Sequence, residues 1–242
     1  MRNKNTIFDS VIDGINFKYR NRKHQKDIQF HNDDFIIMRL ANLRKVKIEK
    51  DFLVTNEEDE PSSLILIDNR DFVQRIAIER NSHSFYKTDT IKNILELNIK
   101  NALKEKLLDF SITKEYLPSE FWDICDENKG KVTKVVFSYK YPNLGRAHEE
   151  LKRLLNDSSS DTNSQETQIT YQNNKGLDLQ KDNEVLNGCV KDSSEGGEAI
   201  SMRIKGFKKF VKTGKTEKSI QIDEAEITNG NVNLLKSLLG DL

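Results

Sequence analysis

From Thr88 to Leu108 the chain reads TDTIKNILELNIKNALKEKLL, and Ile91, Ile94, Leu95, Ile99, Ala102, Leu103 and Leu107 recur along one side at helical spacing. A helix this one-sided must bury its stripe, so its neighbours in sequence have to supply an apolar face. Thr88 or Thr90 is expected to furnish the N-cap oxygen, with Asp89 favoured at the positive end of the helix. The apolar runs lie just upstream. SLILID (Ser63 to Asp68), a polar Asn69-Arg70-Asp71 turn and VQRIAIER (Val73 to Arg80) predict a β-hairpin rich in β-branched residues. FIIMRLANL (Phe35 to Leu43) predicts a strand, and RKVKIEKDFLV a second one that breaks into an acidic loop at Glu57 to Pro61. The first thirty residues fit either a helix, through Ile7, Phe8, Val11, Ile12 and Ile15, or a strand beginning at INFKY.

Beyond the helix, Phe110 and Ile112 suggest a short strand, and Pro118 starts a helix over SEFWDICDEN. VTKVVFSYKY (Val132 to Tyr141) reads as a strand and Leu144 to Leu155 as an amphipathic helix. DSSSDTNSQE, from Asp157 to Glu166, has no apolar residue and reads as a flexible loop or linker. There follow a strand at QITYQ, a turn at NNKG, a helix from Leu179 to Val190, strands around Ala199 to Ile204 and Ser219 to Ile222, and an apolar terminal helix from Val232 to Leu239. The pattern predicts an α+β fold with a mixed, largely antiparallel sheet and packed helices. Two lobes, residues 1–156 and 167–242 joined through 157–166, are one arrangement; a single continuous domain is the other.

The 242 residues are 36% hydrophobic and 32% charged. No apolar run approaches the roughly 18 residues of a spanning helix, and no apolar segment follows Met1-Arg2-Asn3-Lys4-Asn5. A cytoplasmic protein without a membrane partner is expected, with Cys125 and Cys189 as free thiols. The 39 basic and 39 acidic residues cancel, so the informative charge is local. KYRNRKHQK, from Lys18 to Lys26, holds five Lys or Arg and no acid, and Met202 to Ser219 holds seven basic residues against Glu217.

In the second segment Arg203, Lys205, Lys208, Lys209, Lys212 and Lys215 suit phosphates, while Phe207 and Phe210 offer faces on which bases can stack. The competing reading is a solvated hairpin with both phenylalanines in the core. In the first segment Arg20, Arg22 and Lys23 suit phosphates or an acidic protein groove, against an ordinary solvated loop. A metal-dependent nuclease would instead use Asp68 and Glu79 at adjoining strands, with Mg as its ion. The sequence departs from the restriction-nuclease pattern, because Asn81 stands at the third position of a Glu-x-Lys element. No metal site is expected: His24, His31, His83 and His148 are scattered, with no metal-binding spacing. Gly214-Lys215-Thr216 lacks the upstream glycine of a phosphate loop, and Cys125 beside Trp122 reads as a buried apolar residue.

From about Ile65 to Ile222, roughly two thirds of the chain, LILID and QRIAIERN form a strand pair before the long helix; Tyr141-Pro142-Asn143 closes VVFSY, and NNKGLDL precedes a further helix. This order resembles uncharacterised bacterial proteins carried on mobile elements and in anti-phage defence islands. The resemblance implies a bacterial cytosolic protein that acts with a neighbouring gene product against phage, and it carries over no catalytic residue. The function expected is therefore a non-enzymatic component that binds nucleic acid or a partner protein and needs no cofactor. The rivals are the nuclease, and a subunit that docks on a larger complex through Val232 to Leu239.

Overall fold

The computed structural model describes residues 4–71, 73–140, 161–221 and 231–240, together with 151, 153, 155 and 157. The fold is α+β, and every strand pairing among the described residues is antiparallel. Two compact units divide the chain: residues 1–112 with 221–242, and residues 113–220.

In the first unit, helix α1 (Lys4–Ile12) leads into the short strands β1 (Phe17–Tyr19) and β2 (Arg22–His24). Strands β3 (Lys26–His31), β4 (Phe35–Ala41), β7 (Ser62–Asp68) and β8 (Arg75–Ile78) form one sheet in that order, and β5 (Arg44–Lys50) with β6 (Leu53–Asp59) makes a separate two-stranded ribbon. Helix α2 (Thr88–Lys104) packs its stripe, Ile91, Ile94, Leu95, Ile99 and Leu103, with Ile36, Met38, Leu40, Ile65 and Ile67. The alternate residues Phe35, Ile37, Leu64 and Leu66 form a second core on the other side of the sheet, with Leu239 of the terminal helix. FIIMRL and SLILI are continuous apolar runs because these central strands are covered on both faces.

The hairpin of β7 and β8 and the long helix match the sequence expectations, with three differences of detail. Lys87, extended and without a side-chain cap bond, occupies the N-cap, which makes Thr88 the first helical residue. The helix stops at Lys104, and the chain reverses through Leu107 at φ 59°. Phe110 and Ile112 pack against the core without forming a strand. A larger difference is the acidic run, which is a strand and not a loop. Glu57, Glu58 and Asp59 in β6 face Val46, Lys45 and Arg44 in β5, and Arg44 meets Asp59 at 2.7 Å. Opposite charges across a ladder favour pairing that a run of acids alone would not.

In the second unit, α3 (Ser119–Glu127), β9 (Val132–Lys140), β10 (Glu166–Gln172), α4 (Glu184–Ser194), β11 (Ser201–Ile204) and β12 (Val211–Lys212) build a sheet of order β10-β9-β11-β12. One face is buried: Val135, Phe137, Tyr139, Met202 and Ile204 pack with Phe121, Trp122, Leu186, Cys189 and Val190. Burial pushes the Cys125 thiol up to about 12 and also raises Cys189, so both free cysteines are protonated apolar residues. Leu155 joins this core from the helix expected at Leu144 to Leu155, of which 151, 153 and 155 are described and helical. Tyr141-Pro142-Asn143, His148 and Ile222 lie outside the described residues. Ser219 to Gln221 forms no strand. The polar stretch 157–166, expected as a loop or linker, is helical at Asp157, Asp161 and Thr162 and enters β10 at Glu166; it joins neighbouring strands of one sheet, whereas the compact units divide at 112/113 and 220/221.

In the first unit His31 joins β3 to α1. Its Nε2 lies 2.7 Å from Asp9 and its Nδ1 3.0 Å from Asp13. Burial opposes the imidazolium, but the bonds and charges of both carboxylates outweigh it and raise the His31 pKa above 6.5. The charged pairing therefore stabilises the fold fully below pH 6.5, and this contribution is lost as pH rises through the raised pKa. The stability difference between wild type and His31→Gln, measured by urea unfolding, is expected to be larger at about pH 5.5 than at about pH 8.5.

Candidate nucleic-acid interface

Among the described residues, the face of the second unit's sheet opposite its core is open to solvent at Thr170, Gln172, Arg203 and Lys212 and half-buried at Lys134 and Val136. Antiparallel partners place side chains on the same face, so Met202 and Val135 point inward while Arg203 and Lys134, directly opposite each other, share the open side. Ser201 pairs with both Val136 and Lys212, which adds Lys212 to that side. Gln172 lies across from Lys134 on β10.

Beyond Ile204 the chain leaves the sheet and returns at Val211. Within this excursion Phe207 is 51% exposed and Phe210 45% exposed, which overturns the reading that placed them in the core. The Arg203 guanidinium sits over the Phe210 ring at 5.7 Å, and its Nη1 donates to the Lys208 carbonyl at 2.8 Å. Lys205 donates its backbone N–H to Lys131 O at 2.9 Å and its ammonium to Lys175 O at 3.1 Å, tying the excursion to the start of β9 and the turn after β10. That turn comes close because a Cβ at Gly176, whose φ is 127°, would lie 2.5 Å from Gly130 O.

Arg203, Lys205, Phe207, Lys208, Lys209, Phe210 and Lys212 are thus gathered at one end of the sheet, joined by Lys131, Lys134 and Lys175. The latter three escaped the sequence reading because they lie on separate elements that only strand register and a glycine contact bring close. None of these cations has a carboxylate partner among the described residues. Elsewhere in the unit Lys114, Lys140 and Lys181 are paired with Glu217, Glu198 and Asp126 at 2.6 to 2.8 Å. Unpaired cations beside exposed rings are what a phosphate backbone with unstacked bases can use.

Lys215 plays another part. The backbone N–H groups of Gly214, Lys215 and Thr216 donate to the Glu120 carboxylate at 3.0 to 3.2 Å, so this turn is a small anion cradle filled by the protein's own buried acid. The phosphate-loop likeness of Gly214-Lys215-Thr216 has that physical content. Glu120, at the first turn of α3, escaped notice because its partners lie more than ninety residues away.

In the first unit Arg20, Arg22 and Lys23 are exposed on the hairpin of β1 and β2. Lys26, from the same run, turns inward and donates to Ile12 O and Asp13 O at 2.6 Å.

Asp68 and Glu79 do not meet. Glu79 lies beside Leu64, bonding its N–H at 2.8 Å, and Asp68 stands four residues farther along β7, about 13 Å at 3.3 Å per residue. Asp68 is fully buried and holds Arg70 through Nη2 at 2.7 Å, with Arg70 also over the Phe35 ring. Asp68 within β7 and Glu79 just beyond β8 each bond to their own end of the strand pairing and cannot share one ion. Leu239, expected to dock on a partner, is buried against the chain's own sheet, and the carbonyl of Leu239 accepts from Arg75 at 2.7 Å.

Compared with protein-family models, curated proteins and solved structures, the chain matches none.

Glu120→Ala strands the three N–H groups of the cradle. It is expected to cost about 1.5–3 kcal/mol, read as a lowered urea midpoint for the second unit, with Glu120→Gln losing less because one acceptor oxygen remains.

Proposed function

We propose that this chain binds nucleic acid, with the phosphate backbone on the open end of the second unit's sheet and unpaired bases against Phe207 and Phe210. The observation that carries the reading is the pair Lys134 and Arg203. Two cations face each other across a ladder, where like charges destabilise, and neither has a carboxylate partner among the described residues. A polyanion removes that repulsion. The exposed rings beside it favour single strands, because a duplex hides its base faces inside the stack. On the resemblance of its sequence alone, we place this binding in anti-phage defence, beside the product of a neighbouring gene.

The proposal is tested by fluorescence anisotropy of the full chain with labelled single-stranded and double-stranded DNA and RNA over a range of salt. Wild type is expected to bind single strands, more weakly as salt rises. Lys208→Glu with Lys209→Glu should weaken binding to all sequences alike and flatten the plot of log K against log salt by about 1.4, at about 0.7 per phosphate contact. Phe210→Ala should weaken binding by about 5- to 150-fold and leave that slope unchanged, since stacking releases no counterions. Absence of salt-sensitive binding, or equal binding before and after the charge reversals, contradicts the proposal.

A further inference from the structure

The hairpin of β1 and β2 repeats, in the first unit, the features that mark the interface in the second. Phe17 lies opposite His24 and both are buried, so the alternate pair, Lys18 opposite Lys23, is turned to the outer face. This is again a cation directly across a ladder from a cation. Arg20 adds its guanidinium over the Tyr19 ring at 5.3 Å, and Arg22 pairs across from Tyr19. Lys18, Arg20, Arg22 and Lys23 have no carboxylate partner among the described residues.

The backbone adds an independent observation. Arg20 and Asn21 form the two-residue turn at φ 47° and 64°, left-handed conformations that favour glycine or asparagine. Asn21 suits its place; Arg20 carries strain that glycine would relieve, and the turn sets this residue at the tip of the hairpin with its guanidinium over the Tyr19 ring. The hairpin is also held in place. Asn98 of α2 accepts the Lys18 N–H at 3.1 Å and donates to the Lys18 carbonyl at 2.9 Å, as a neighbouring strand would. Arg22, across from Tyr19, falls on the side of Phe17 and His24, so Lys18 and Lys23 with Arg20 at the turn are the cations that this fixed support offers to the oxygens of phosphodiesters.

We infer that this hairpin is a second phosphate-binding site and that the chain is bivalent toward nucleic acid, one site in each unit. The inference rests on the reading of the second unit as a nucleic-acid interface. Bivalency has a consequence that a single site lacks: affinity for a strand long enough to engage both sites exceeds that for a short one without any new contact.

The experiment titrates the full chain at low salt with oligothymidylates of about 10 and about 40 nucleotides, the shorter sized to fill one site. Three proteins are compared: wild type, the hairpin variant Arg20→Gly with Lys23→Ser, and the sheet variant Lys208→Glu with Lys209→Glu. All these positions are exposed, and Arg20→Gly relieves the turn, so no variant's unfolding midpoint should fall below the wild-type value. Wild type is expected to bind two short oligomers per chain and each variant one. For the long oligomer, the hairpin variant should lose about tenfold in affinity and about 1.4 in salt slope. One short oligomer per wild-type chain, abolished by the sheet variant and untouched by the hairpin variant, overturns the second site and leaves the interface standing. One oligomer abolished only by the hairpin variant supports the hairpin site, overturns the interface of the second unit and with it bivalency. Absence of binding overturns both.

Discussion

Burying Val135, Phe137 and Met202 on one face of the second unit's sheet leaves Lys134 and Arg203 only the other face, directly across from each other. Strand register does this, because a slip of one residue would exchange the two sets and drive lysine and arginine into the core. The apolar packing of the unit thus holds a repulsive pair in place, and the energy of the core keeps two like charges together that would otherwise separate. The sheet is further fixed at its far end, where the Glu120 carboxylate binds the three N–H groups that follow β12. The proposed interface is therefore preorganised by groups that do not belong to it.

The same logic governs the hairpin in the first unit at smaller scale. Phe17 and His24 go inward and Lys18 and Lys23 outward, with Asn98 standing in for a missing strand. Two strands of three residues bury too little to persist alone, so this bond to α2 and the inward Phe17 are what hold the charges in position. Helix α2 is in turn held by its apolar stripe on the sheet, so the packing most evident in the sequence is what supports the hairpin.

What could be read from the sequence follows from how local each feature is. The stripe of α2, the hairpin of β7 and β8, and the continuous apolar runs FIIMRL and SLILI each carry their signal within one segment, and the structure shows all of them as helix or strand. The acidic strand β6 was hidden because its stability comes from Arg44 and Lys45 across a turn, not from its own composition. The place of Phe207 and Phe210 was open in the sequence, since two phenylalanines in a basic run fit a core or a surface equally well; only the departure from β11 after Ile204 decides it. Asp68 and Glu79 are close along the chain yet lie at opposite ends of one strand pairing, a separation that register sets and spacing conceals. The terminal helix looked free because the face that receives Leu239 is assembled from Phe35, Ile37, Leu64 and Leu66, far away in sequence.

The central claim is that strand register stores a charge repulsion which nucleic acid relieves. Removing one charge of the pair with Lys134→Gln tests this most directly, by measuring thermal stability without ligand and affinity for a single-stranded oligonucleotide on the same preparation. The account predicts opposite signs: stability higher than wild type by about 0.2–1 kcal/mol, and binding weaker. A variant that is less stable, or that binds as tightly as wild type, contradicts it.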